Sequence, residues 1–143
     1  MKIYCIAAFK NAIEKLAAKK PYKDIMSDVA GYFEGKTINE ICSGTRLNNS
    51  DSAPYIKKRL NGAGGYRLYF LVLIRNDNVF LIFIHPKTGP DGAENISDQS
   101  KAQYYKDVLL AIRNFDLLKV VFEQGKILFS ELNIDDRKSL SVN

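Results

Sequence analysis

Apolar positions recur along the chain with a period that changes, and each change marks an element. An unbroken apolar run at 3–9 predicts a first strand over residues 2–9. Phe9, Ala12, Ile13, Leu16 and Ala17 then fall at helical spacing until Lys19, Lys20 and Pro21 break the pattern. Ile25, Val29, Tyr32 and Phe33 predict a second helix that Gly35 stops, so the opening is a strand followed by a helical hairpin. Residues 44–52 are rich in Gly, Thr, Asn, Ser and Asp and read as a surface loop.

From Tyr55 the period drops to two. Tyr55, Lys57 and Arg59 alternate with Ile56, Lys58 and Leu60, a glycine-rich turn occupies 61–65, and the stretch 66–74 is aromatic and aliphatic. This predicts a β-hairpin. A turn at Asn76, Asp77 and Asn78 leads into the apolar run 79–84. Two adjacent strands this apolar must be central and covered by helices. Ser97 or Asp98 can cap a helix with the face Ala102, Tyr105, Val108, Leu109, Ile112 and Phe115. Leu117, Leu118, Val121 and Phe122 predict a further short helix ending at Gly125, followed by an edge strand at 126–130 and a polar, frayed tail at 134–143. The fold class is therefore α+β, with an N-terminal strand and helical hairpin packed on a mostly antiparallel sheet and one or two C-terminal helices.

At 143 residues the chain is one domain, 1–143, and 46% hydrophobic against 26% charged residues is a globular balance. Two cysteines and one histidine cannot build a four-ligand zinc site, and Cys5 and Cys42 read as small buried apolar residues. No metal or cofactor is expected. The apolar runs fall short of the roughly 20 residues that span a bilayer, so no membrane partner is expected. The N-terminal run is followed at once by Lys10, Glu14 and Lys15, which favours a strand entering a helix over an export signal, so a cytoplasmic location is expected.

Charge sharpens the picture. The net charge is +5, and between residues 54 and 87 six cations (Lys57, Lys58, Arg59, Arg67, Arg75, Lys87) face one anion, Asp77, a local excess equal to the whole. Such a concentration fits a polyanion-facing surface, nucleic acid above all, and fits a solvated sheet face equally well. Register arithmetic separates the residues further. With a five-residue loop at 61–65, Arg59 faces Arg67 and Lys57 faces Tyr69; with a three-residue loop at 76–78, Tyr69 faces His85 and Arg67 faces Lys87. Lys57, Arg59, Arg67, Tyr69, His85 and Lys87 then share one face. Opposed arginines destabilise a sheet, a cost that an anionic ligand would offset. There is no carboxylate pair, no nucleophilic triad and no phosphate loop opening a helix. Clustered cations can still stabilise the charge that develops in phosphodiester cleavage, and RNA carries its own nucleophile in the 2′-hydroxyl. His85 is the candidate acid or base and Tyr69 a candidate base-stacking ring. The histidine taken alone reads more readily as a hydrogen-bonded surface residue at a strand end than as a catalytic group.

The sequence Ile56-Lys57-Lys58-Arg59-Leu60, a glycine-bearing turn, Gly65-Tyr66-Arg67-Leu68-Tyr69, an apolar strand ending near Lys87 and then Glu94-Asn95-Ile96-Ser97 before a helix resembles the RelE/ParE superfamily of bacterial toxins, with RelE-type and HigB-like members nearest. The resemblance runs from about residue 55 to 112. It implies a RelE-like fold and a toxin of a type II toxin–antitoxin system, an mRNA interferase cleaving translated mRNA at the ribosome without metal or cofactor and neutralised by a cognate antitoxin. It assigns Lys57, Arg59, Arg67 and Lys87 to the active site; charge and register, independently of the resemblance, add His85 as a catalytic candidate and Lys58, Tyr69 and Arg75 as candidate RNA contacts. Because fold does not decide function, a ParE-like inhibitor of DNA gyrase and a non-catalytic basic binding module are the alternatives. The chain departs from the short family form by continuing some 30 residues past the helix around Tyr105, and neither Tyr104 nor Tyr105 takes an acid–base role from the resemblance.

Overall fold

The computed structural model describes residues 1–89, 92–93 and 96–141. In chain order it runs β1 (Lys2–Cys5), α1 (Ala7–Ala17), a 3-10 turn (Lys20–Tyr22), α2 (Ile25–Phe33), α3 (Ile38–Ile41), β2 (Thr45–Arg46), β3 (Tyr55–Leu60) and β4 (Tyr66–Leu73). A second 3-10 turn (Ile74–Asn76) leads to β5 (Asn78–Pro86), then α4 (Asp98–Asn114), β6 (Leu118–Glu123), β7 (Lys126–Glu131) and α5 (Ile134–Ser141). The seven strands form one sheet in the order β2-β3-β4-β5-β1-β6-β7, antiparallel except for the β1–β5 pair. The fold is α+β, and among the described residues no helix is long and apolar enough to cross a membrane.

The continuous apolar runs of β4 and β5 follow from burial on both sides. On one face Phe70, Val72, Leu81 and Ile84 meet Phe9 and Ile13 of α1 and Val29 and Phe33 of α2. On the other, Tyr69, Leu71, Phe80 and Ile82 meet Val108 and Ala111 of α4 and Leu140 of α5. Each such side chain removed from water contributes about 1.5–3 kcal/mol.

Four local expectations change. The first strand stops at Cys5 and the chain is helical from Ala7, because the two alanines carry high helix propensity and extend the Phe9 stripe backward by half a turn. The expected loop at 44–52 holds a two-residue strand, β2, and ahead of that loop Thr37 and Glu40 form a capping box that opens the short helix α3. The expected short helix after residue 114 is instead strand β6. Phe115 ends α4 in a left-handed conformation (φ 55°), Val120-Val121-Phe122 is β-branched and aromatic, and Gln124 and Gly125, both at positive φ, close a two-residue hairpin between the paired Glu123 and Lys126.

The tail is the fourth. Residues 134–141 form α5 rather than a frayed end, and only 142–143 lie outside the described residues. Asn133 and Asp136 exchange side-chain and backbone hydrogen bonds at 3.0 and 2.8 Å, which starts the helix. Asp136 is 2% exposed and also accepts from Tyr4 Oη at 3.4 Å while pairing with Lys119 Nζ at 3.3 Å. Burial works to raise the Asp136 carboxyl, yet the Asn133 backbone donor, Lys119 and Tyr4 together hold it below the ordinary carboxylate value.

Candidate functional site

Pairing of β3 with β4 sets Arg59 opposite Arg67 and Lys57 opposite Tyr69, as the hairpin arithmetic expects. Pairing of β4 with β5 differs. The connection is the 3-10 turn plus Asp77 in a left-handed conformation (φ 57°), so Leu73 faces Asn78. Carried straight along the strands, that register would set Arg67 against Ile84 and turn His85 to the opposite face. A bulge on β5, where Ile82 is left without a partner between the Tyr69–Phe83 and Phe70–Leu81 pairs, shifts the pairing, so that Tyr69 faces Phe83 and Arg67 faces His85 rather than Lys87. The bulge therefore restores His85 to the face that carries Lys57, Arg59, Arg67 and Tyr69, beneath the first turns of α4.

Lys57, Arg67 and His85 are 8%, 5% and 5% exposed, whereas Arg59 is open to solvent. Lys87 lies just past β5, and its backbone N–H donates to the Gly65 carbonyl at 2.9 Å. Gly65 has φ +100°, and a Cβ placed there would stand 3.7 Å from Arg67 Nη1 and 3.9 Å from Lys87 Cβ, so a side chain at this position would enter the cluster.

No carboxylate among the described residues pairs with Lys57, Arg59, Arg67 or Lys87. Arg67 Nη1 donates to the Tyr66 carbonyl at 3.1 Å, but Arg67 Nε is buried with no acceptor among the described residues. Burial lowers the pKa of the Lys57 ammonium, and Lys101, Arg59 and Arg67 push it the same way. Such a group of cations, drawn partly out of water without counter-charge, costs stability unless an anion completes it.

His85 Nδ1 lies 2.8 Å from the Pro86 carbonyl, which can only accept, so Nδ1 carries the proton. Nε2 then holds the lone pair and accepts from Tyr69 Oη at 3.1 Å. Burial lowers the His85 pKa from its ordinary 6.5; the Pro86 carbonyl opposes this, while Arg67 and Lys57 reinforce it. Tyr69 is pushed up to about 12 by burial and by Tyr104.

Of the three expected RNA contacts, Lys58 and Arg75 are not gathered here, and Tyr69 is gathered but buried. Lys58 points to the other face, where its Nζ donates to Ser43 Oγ at 3.3 Å and lies 5.5 Å from the centre of the Tyr32 ring. Arg75 is exposed in the turn at the far end of β4. Tyr69 is fully buried, stacked with His85 at 5.6 Å and tilted against Tyr104 at 6.2 Å, which leaves no free ring face for a base. Of the motif before α4, Glu94 and Asn95 lie outside the described residues, and Ser97 is the cap, accepting from the Ser100 N–H.

Two residues of α4 join the site. Lys101 brings a further cation close enough to act on Lys57. Tyr104 stacks on Phe83 at 4.8 Å and leans on Tyr69. Their spacing of three puts them on one face of the helix, but only the packing angle of α4 shows that this face meets the cations. Comparison of the chain with protein-family models, with curated proteins and with solved structures returns no match.

Proposed function

We propose that the chain is a RelE/ParE-type toxin, a metal-independent endoribonuclease that cleaves translated mRNA at the ribosome and is neutralised by a cognate antitoxin. The observation that carries this reading is the cation group, with Lys57 and Arg67 buried, in which no carboxylate among the described residues pairs with the cations and Arg67 Nε has no acceptor among them. A phosphate supplies what that group lacks. In the reaction, an RNA 2′-oxygen attacks the adjacent phosphorus and loses its proton to a base. The 5′-oxygen departs and takes up a proton, leaving a 2′,3′-cyclic phosphate. Lys57, Arg59 and Arg67 receive the negative charge that grows on the phosphoryl oxygens, and Lys87 flanks them from the loop side.

His85 responds to the anion. A bound phosphate offsets the repulsion from Arg67 and Lys57 and raises the imidazole pKa. Once protonated, Nε2 donates to Tyr69 Oη and frees the tyrosine proton to turn toward the ligand. As the only histidine in the chain, His85 gives one imidazole signal by NMR. Its titration midpoint is expected below 6.5 in phosphate-free buffer and to rise on saturation with inorganic phosphate; an unchanged midpoint would contradict the coupling. The linked stability has a definite sign. With the folded pKa depressed, the unfolded chain takes up the proton first, so stability in phosphate-free buffer falls as pH drops from 6.5 toward the folded value.

One observation favours the non-catalytic reading: the His85 lone pair is engaged by Tyr69, so neutral His85 has no free site for a substrate proton. Expression in cells with mapping of transcript ends, beside a gyrase supercoiling assay, separates the readings. New transcript ends that vanish with Arg67→Ala are expected. Inhibited supercoiling without cleavage, or neither effect, would replace the nuclease with the gyrase inhibitor or the binding module respectively.

A further inference from the structure

Beside the cations, between β3 and α4, lies a cavity of about 350 Å³. That is the size of a small-molecule site. Leu47 lines one side, Tyr55 belongs to the sheet, and Lys101, Ala102 and Tyr105 come from α4. The aromatic part is held firmly: the Tyr55 and Tyr105 rings stack at 5.3 Å, and Tyr55 Oη donates to the Lys101 carbonyl at 2.8 Å. Asp98 adds an acceptor at the rim, with its carboxylate 3.8 Å from Lys101 Nζ.

This cavity adjoins the cationic site in two ways. Tyr55 and Lys57 are two residues apart on one strand, hence on the same face and about 6.5 Å from each other along it. Lys101 both lines the cavity and acts on Lys57. A chain of alternating phosphates and flat rings matches that alternation of charge and apolar wall.

We propose that this cavity is a nucleobase subsite, receiving an unpaired RNA base whose neighbouring phosphate lies on Lys57, Arg59 and Arg67. The inference rests on the RNA reading of the cationic face. Tyr105 supplies the stacking wall that the buried Tyr69 cannot, and Lys101 bridges base and phosphate.

Fluorescence anisotropy with the full chain tests it. The probes are a labelled single-stranded RNA hexamer and six versions, each lacking the base at one position. In the wild type, one abasic position is expected to weaken binding about tenfold, and the others far less. Ala102→Trp, at an exposed helix position, fills the cavity and is expected to weaken the intact hexamer about tenfold while leaving the affected abasic hexamer unchanged. Equal binding of all seven RNAs by the wild type overturns the subsite while leaving the cationic face as a phosphate binder, and this comparison does not depend on the variant folding. Failure of the wild type to bind any RNA overturns the reading of the cationic face, and the subsite with it.

Discussion

Arg67→Met is expected to abolish RNA cleavage and at the same time to raise the melting temperature of the free protein. Both effects have one cause. Arg67 is 5% exposed, its Nε has no acceptor among the described residues, and Arg59 stands directly across the strand pair with Lys57 close by. A methionine of similar length keeps the packing and removes the unpaired charge. Replacing buried charges with apolar side chains is often neutral or stabilising by about 1–4 kcal/mol, and the lower part of that range is expected here. Loss of a donor to a developing oxyanion typically costs about a hundredfold or more in rate. Single-turnover cleavage and thermal melting in phosphate-free buffer check the two halves. A variant that loses activity and also melts lower would mean that Arg67 holds the fold together and is not kept for a ligand.

Asp136→Ala is expected to be the more damaging change to stability, at about 3 kcal/mol near neutral pH. Truncation strips partners from the Tyr4 hydroxyl, the Lys119 ammonium and the Asn133 N–H at once. Tyr4 is fully buried, and burial followed by the Asp136 charge pushes its hydroxyl up to about 12, so it stays a neutral donor with no other acceptor among the described residues. Chemical denaturation at several pH values gives a second check. Because the folded carboxyl sits below its ordinary 3.8, its contribution is complete above that value and is lost as pH falls through the folded one. The gap between wild type and Asp136→Ala is therefore expected to narrow in acid. A gap of the same size at pH 7 and in acid would show that the carboxylate charge is not what anchors α5.

These two residues also show what the sequence made legible. Arg67 was reachable because a hairpin with a glycine-rich loop has countable register, and the five-residue turn at 61–65 places Arg59 against Arg67 as expected. His85 reached the same face by a route that counting could not see. The turn at 74–77 is one residue longer than the three-residue loop expected, and the β5 bulge at Ile82 compensates, so His85 keeps the expected face with a different partner. A bulge of this kind leaves little trace in the order of apolar residues, because β4 and β5 are buried on both faces and show no alternation to be interrupted.

Asp136 was invisible for a different reason. Helix α5 has one deeply buried apolar residue, Leu140, and is held by a buried carboxylate, whereas periodicity finds helices through their apolar stripes. Strand β6 mimics a helix in the sequence, because Leu117, Leu118, Val121 and Phe122 fall at helical spacing although Leu118–Glu123 pairs as a strand; Val120-Val121-Phe122 and the Gln124-Gly125 turn are the discriminating signals. The tyrosine expected to stack on RNA proved to be core, since an aromatic residue on a strand covered by α4 is buried before it can be a ligand contact.

If the cation group is an RNA phosphate site, the salt dependence of single-stranded RNA binding shows it most directly. Wild type and Arg67→Met are compared by plotting the logarithm of the association constant against the logarithm of salt concentration. Each phosphate neutralised contributes a slope of about −0.7 for single strands. With three or four cations engaged, the wild type is expected to give about −2 to −3, and Arg67→Met to bind more weakly with a slope shallower by about 0.7. Superimposable plots for the two proteins, or no binding by the wild type at low salt, would contradict it.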